Sequence, residues 1–202
     1  FHAGCVIGDA PQDLKYSCEP TRLIIGERNL FREHVTIHRS NTPSEDTRIG
    51  SENFFMANSH VGHNSIIGNK AILANGVLIA GHAMIGDGAF LAGNAVVHQF
   101  CRVGAMAMMQ GCAGVSLDLP PFTIVRGING MCGLNSVGLK RAGFSAKERS
   151  QLKKAYHAIF LSDDLLKDAL EKARAEFTGV LAEQLIDFVA TSQRGTCSHT
   201  KR

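Results

Sequence analysis

From Ile49 onward an apolar residue returns at every sixth position: Ile49, Phe55, Val61, Ile67, Leu73, Ile79, Ile85, Leu91, Val97, Val103, Met109 and Val115, twelve in succession without a slip. A period of six fits neither the 3.6-residue turn of a helix nor the two-residue alternation of a strand. It fits short strands joined by tight corners, three to a coil, with one aliphatic per side pointing inward and each coil covering the interior of the next. The residue after the aliphatic is usually small (Gly50, Gly62, Gly68, Ala74, Ala80, Gly86, Ala92, Gly104). The pairs Ile49-Gly50, Ile67-Gly68, Ile85-Gly86 and Val103-Gly104 repeat at eighteen, a spacing shared by Ile7-Gly8 and Ile25-Gly26. The expected fold is a β-solenoid.

Composition agrees with a thin interior. The 202 residues are 45% hydrophobic with 21 Gly, but only 6% are aromatic and none is Trp. A net charge of +3 with no dense basic run argues against nucleic-acid binding. The six cysteines, at 5, 18, 101, 112, 132 and 197, form no C-x-x-C pair or disulfide framework. They read as small apolar fillers in a reducing cytosol. No stretch approaches the ~20 apolar residues of a transmembrane segment. With no signal peptide at the visible start, the expected location is cytoplasmic. The chain opens at Phe1, already inside a patterned segment, so N-terminal coils are expected to be missing.

The β-helix is expected over residues 1–120, with polar excursions near 9–22 and 39–48, where function tends to collect. Pro120-Pro121 marks its end, a connector fills 121–144, and residues 145–202 read as an α-helical domain. Ser145-Ala-Lys-Glu148 is a capping box, and three helical apolar patterns follow, at 152–160, 165–173 and 180–189. These helices are expected to cap the open end of the solenoid, and the tail from Ser192 to fray.

The repeat also serves as a ruler. Counting each coil from its first residue, His63 is fifteenth, His82 sixteenth and His98 fourteenth, while Gly81 and Gln99 share the fifteenth place. At ~4.8 Å per coil, these residues form a polar column on one edge. His60 precedes His63 by three. A single corner imidazole is by default a solvated polar residue; three in register suggest a site. His63 and His98 are two coils, roughly 10 Å, apart and so cannot share a metal, and no metal or cofactor is expected within one chain. Acyl transfer needs a general base and N–H donors facing an oxyanion. His63 is the candidate base and Gly81 the candidate donor. No Ser or Cys nucleophile has an evident partner, so direct transfer is favoured. Asn64 is placed to orient His63, although a neutral amide supports an imidazolium less than a carboxylate does.

The segments IGDAPQDLKY (7–16), EPTRLIIGERNLFREHVTIHRS (19–40), NSHVGHNSIIGNKAILANGVLIAGH (58–82), AVVHQFCRVGA (95–105) and GLNSVGLKRAGFS (133–145) closely resemble the UDP-N-acetylglucosamine O-acyltransferase family, over nearly all of residues 1–195. The resemblance implies a left-handed parallel β-helix assembled as a homotrimer, with active sites between subunits. It implies transfer of an (R)-3-hydroxyacyl chain from acyl carrier protein to the 3-hydroxyl of UDP-N-acetylglucosamine, the first step of lipid A synthesis. Carried over by position, His63 matches the general base and Gly81 the oxyanion donor. Asp13, Lys15 and His60 match substrate contacts, and His82, His98 and Gln99 match residues lining the substrate and acyl cleft. Asn135 and Arg141 match positions at the uridine and phosphate end, and Gly111 the position limiting acyl length. On spacing alone, Lys15 reads as a solvated charge and Arg141 as a surface partner of a helix acid. Three residues depart from the pattern: Asn64 replaces a frequent Asp, Val137 an acidic residue, and Ala142 a second Arg. Two other enzymes of the same architecture are alternatives: an N-acyltransferase on a UDP-glucosamine derivative, and a metal-dependent hydratase with His ligands converging between subunits. A non-catalytic scaffold would have no need of the column.

Overall fold

The computed structural model describes residues 1–200. Its first two-thirds is a parallel β-helix of three sheets. Strands starting at Val6, Thr36, His60, Leu78, Val96 and Gly114 form the first sheet, and those starting at Arg22, Asp46, Ile66, Met84 and Arg102 the second. The third runs from Leu30 through Phe54, Ile72, Phe90 and Met108. Pairing is in the register the sequence implies: Ile79 lies opposite both Val61 and Val97, and Ile85 opposite Ile67 and Val103.

All twelve ladder residues are at most 3% exposed. A second inward column, two positions earlier in each repeat, was not expected: Ala71, Val77, Ala83, Ala89, Ala95, Cys101, Ala107 and Ala113 are all fully buried. Each side therefore sends one large and one small side chain inward. The corners explain the rest of the period. Asn58, Asn64, Lys70, Gly76, His82, Gly88, Asn94, Phe100, Met106 and Cys112, six apart, all have positive φ. A left-handed residue turns the chain sharply, and Gly and Asn adopt that conformation with least strain.

Several boundaries differ from the sequence reading. Ile7 pairs with Ile37 in the first sheet, whereas Ile25 pairs with Ile49 in the second. Their spacing of eighteen therefore spans an excursion and does not measure a coil. The second excursion closes early, because Asp46–Ile49 is already a strand on Arg22–Ile25. The β-helix also continues past Pro120-Pro121. Thr123–Arg126 pairs in parallel with Met108–Met109, Val125 sits buried opposite Met109, and Gly130–Leu134 returns antiparallel. The prolines occupy a corner stacked on Gly104, where their missing N–H interrupts no ladder bond.

Helix α1 spans Ser136–Arg141 within the segment expected to be a connector. Helices α2 (Ala146–Phe160), α3 (Leu166–Glu176) and α4 (Val180–Ala190) follow, and the Ser145–Glu148 capping box opens α2. Against expectation, the tail is held in place: Ser198–His199 pairs with Gly130–Met131, and Cys197 is buried. The Tyr156 hydroxyl meets His199 Nδ1 at 2.7 Å. α4 is tied to the β-helix by Arg102, which bonds the Phe188 carbonyl, lies over the Phe188 ring and pairs with buried Asp118. No helix among the described residues is long and apolar enough to cross a membrane.

Candidate active site

The first and second sheets meet at a corner carrying His63, Gly81 and Gln99 on successive coils. At every such corner one backbone N–H faces outward, away from the ladder. At the second-to-third corner these donors are used: Ser51 N–H bonds Asn69 Oδ1 at 2.8 Å, and Asn69 N–H bonds Asp87 Oδ1 at 2.7 Å. At the His63 corner the residue one coil above Gly81 is Gln99, whose side chain makes no such bond. Among the described residues the Gly81 N–H has no acceptor. A Cβ at position 81 would stand 2.8 Å from His63 Nε2 and Cε1, so the imidazole edge occupies the space a side chain there would need.

His63 is held from its other edge. Asn64 is buried, its Oδ1 accepts the Asn41 N–H at 3.0 Å, and its Nδ2 donates to Glu45 Oε2 at 2.8 Å. The Asn64 oxygen is therefore fixed as an acceptor, and His63 Nδ1, 2.9 Å away, must be the donor. In the neutral ring that tautomer puts the Nε2 lone pair beside Gly81. Both excursions close over this corner. Asp13 Oδ1 accepts the Lys15 N–H and Oδ2 accepts from Asn41 Nδ2 at 2.6 Å. These two bonds, the backbone one first, keep the Asp13 carboxyl below its usual range. Lys15 itself is exposed.

His60 Nδ1 lies 2.8 Å from Thr36 Oγ1, and its ring is edge-on to His38 at 5.3 Å. Burial, and then the neighbouring His38 and His63, push its pKa down to about 4, so it stays neutral near pH 7. A cleft of about 590 Å³ opens in front of these groups, lined by Gln12, His60, His63, Gly81, His98 and Gln99. Its floor is the outer face of the first sheet, with Leu78 and Val96 half-exposed, and it ends where Ile128 overlies Gly114. The arrangement sets an imidazole nitrogen and an unengaged N–H beside an apolar trough.

Other expected residues lie elsewhere. His82 touches His63 edge-on at 5.2 Å but faces the other side of the corner, stacked on Phe100 at 4.6 Å. Burial, and then His63, lower its pKa. Gly111 is on the third-to-first corner, beside Gly93. Asn135 caps α1 through the Gly138 N–H and donates to the Met106 carbonyl, which sets it at the second-to-third corner. Arg141 is exposed in the last turn of α1. One chain thus gathers His63, Gly81, His60, His98, Gln99 and Asp13, but not Asn135 or Arg141. Among the described residues no three His, Cys, Asp or Glu converge as metal ligands. Glu45 and Asn41 were missed in the sequence, because they sit in an excursion where the six-residue ruler does not apply. The trough residues Leu78 and Val96 were legible in principle, since they follow His60 at intervals of eighteen.

Comparison with known proteins gives a consistent result. Residues 118–197 match the family described as UDP N-acetylglucosamine O-acyltransferase, domain 2, and residues 46–81 match the bacterial transferase hexapeptide repeats. The acyl-[acyl-carrier-protein]–UDP-N-acetylglucosamine O-acyltransferase of Anaeromyxobacter sp. (strain Fw109-5) is 45% identical over 94% of this chain and 75% of its own length. Its counterpart from Gloeothece citriformis is 43% identical over 94% of this chain and 69% of its own. Among solved structures, the Francisella novicida UDP-N-acetylglucosamine acyltransferase superposes with a TM-score of 0.92 at 36% identity, covering 98% of this chain and 74% of that one. The Arabidopsis enzyme gives 0.93 at 34%, covering 98% and 73%.

Proposed function

The chain belongs to the UDP-N-acetylglucosamine O-acyltransferase family, and from that premise we propose that His63 and Gly81 carry its acyl transfer. The chain is an acyltransferase that moves a 3-hydroxyacyl group from acyl carrier protein to UDP-N-acetylglucosamine, as in lipid A synthesis. The hexapeptide match and the structural neighbours support a left-handed winding.

In the proposed mechanism His63 Nε2 takes the proton of the sugar 3-hydroxyl, and that oxygen attacks the thioester carbonyl carbon. The Gly81 N–H stabilises the negative oxygen of the tetrahedral intermediate. The C–S bond then breaks, and the departing carrier thiolate takes the proton back from the His63 imidazolium, so no covalent enzyme intermediate forms. His60, neutral at working pH, and Asp13 with Lys15 hold the sugar and its phosphates, while Leu78 and Val96 floor the acyl chain toward Gly111. His98, Gln99 and, from its own face of the corner, His82 complete the substrate contacts. Asn135 and Arg141 hold the uridine and phosphate end from a neighbouring copy of a cytoplasmic homotrimer.

The observation that carries this reading is the free Nε2 of His63 beside the unengaged Gly81 N–H. The test is turnover of UDP-N-acetylglucosamine with a panel of 3-hydroxyacyl carrier proteins. His63→Ala should abolish it in a folded protein, and near-normal turnover would sink the assignment.

A further inference from the structure

Resting on His63 as the base, we propose that Glu45 is the positioning residue that orients and supports it, acting through Asn64. The chain of bonds is unbroken: His63 Nδ1 to Asn64 Oδ1 at 2.9 Å, then Asn64 Nδ2 to Glu45 Oε2 at 2.8 Å. Both side-chain polar atoms of Asn64 are engaged, its Oδ1 also holding the Asn41 N–H, and its own N–H bonds Thr47 Oγ1 at 2.8 Å. The amide cannot flip without setting its NH₂ against the Asn41 N–H and its oxygen against the Glu45 carboxylate, so Glu45 and Asn41 together fix the His63 tautomer.

The same contact explains why position 64 is an amide. A carboxylate there would stand against that of Glu45, and two carboxylates at hydrogen-bonding distance cannot both ionise readily. Glu45 also supplies what the neutral amide lacks. When His63 takes the proton, the positive ring is held by an amide oxygen whose NH₂ end is polarised by a full negative charge. The groups facing His63 are Asp13 from the first excursion, His60 on its own coil, His82 from the next coil and, across Asn64, Glu45. Of these, Glu45 alone reaches the ring through a single side-chain amide. Its carboxylate also lies 3.7 Å from His82 Nδ1. Because the Glu45 side chain is 56% exposed, its influence is moderate and screened by salt.

The experiment compares Glu45→Gln, Asn64→Asp, the double variant and His63→Ala, using full pH–rate profiles with both substrates. Glu45→Gln keeps an acceptor for Asn64 but removes the charge. It should lower kcat roughly three- to tenfold, leave both KM values within about twofold, and move the acid limb of the profile to lower pH. Asn64→Asp alone should lose at least as much. The double variant should recover most of the loss, because its amide at position 45 can donate to its carboxylate at position 64, which accepts directly from His63. A Glu45→Gln profile that superposes on wild type, or additive losses in the double variant, overturns the relay while an inactive His63→Ala leaves the base assignment standing. An active His63→Ala overturns both.

Discussion

A methyl group at position 81 would collide with the Nε2 edge of His63 at 2.8 Å and press only lightly on the His63 backbone carbonyl at 3.2 Å. Gly81→Ala should therefore fold normally and keep its N–H, yet push the imidazole off line by a fraction of an ångström. Displacements near 1 Å cost about 10²-fold in rate. We expect a loss of that order in kcat, measured beside unchanged thermal unfolding, and full activity in Gly81→Ala would mean that the ring does not work from this position. His60 makes a different prediction. Its folded pKa, about 4, lies below the unfolded value of 6.5. Between those values the unfolded chain binds a proton that the folded chain refuses, so stability is full above pH 6.5 and falls as pH drops toward 4. Replacing His60 with Gln should flatten that acid arm in urea midpoints taken from pH 7 to 5, and an unchanged slope would mean that His60 does not drive it.

At the scale of elements, the ladder could be read because every coil demands an apolar residue at the same place, and a β-helix has no other way to close its interior. The small inward column could not, since Ala and Cys are equally at home on a surface or in a turn. The third-sheet strand beyond Pro120-Pro121 was hidden for a related reason: two prolines signal a break whether they end an element or only turn its corner. The docking of α4 was invisible as well, because Arg102 and Asp118 acquire meaning only when the helix lies beside them. Asp118 is 1% exposed and accepts from the Arg102 N–H and Nε and from Ser192 Oγ. Asp118→Leu would leave these donors unmet, at a cost of roughly 1–3 kcal/mol. Its expected signature is a lower urea midpoint, with protease cutting first between α4 and Ser198, and equal protection of that segment would show that the contact does not anchor it.

At the scale of the whole molecule, the ruler that found His63, Gly81 and Gln99 works only up the axis of one β-helix, and that is why Asn135 and Arg141 were placed by resemblance alone. Within the chain they belong to a different corner, with Asn135 bonded to Met106. If they serve the same substrate as His63, they come from another copy. The outer face of the second sheet and the corner beside it have the character such a contact needs: Ile24, Ile66 and Met84 on the sheet and Phe100 on the corner are each 38–51% exposed. An exposed apolar patch of that kind suits the proposed interface. The proposed trimer can be tested by subunit mixing. His63→Ala and Arg141→Ala each damage one half of every site, so either protein alone should be poorly active at low UDP-sugar. Unfolded together in equal amounts and refolded, they form interfaces in which an intact His63 meets an intact Arg141. Random assembly gives roughly a quarter of the wild-type sites. Activity rising to that level on co-refolding, and not on mixing the native proteins, is the expected result. No gain on co-refolding would put both residues in the site of one chain, and would require helix α1 to swing across a face of the β-helix to reach it.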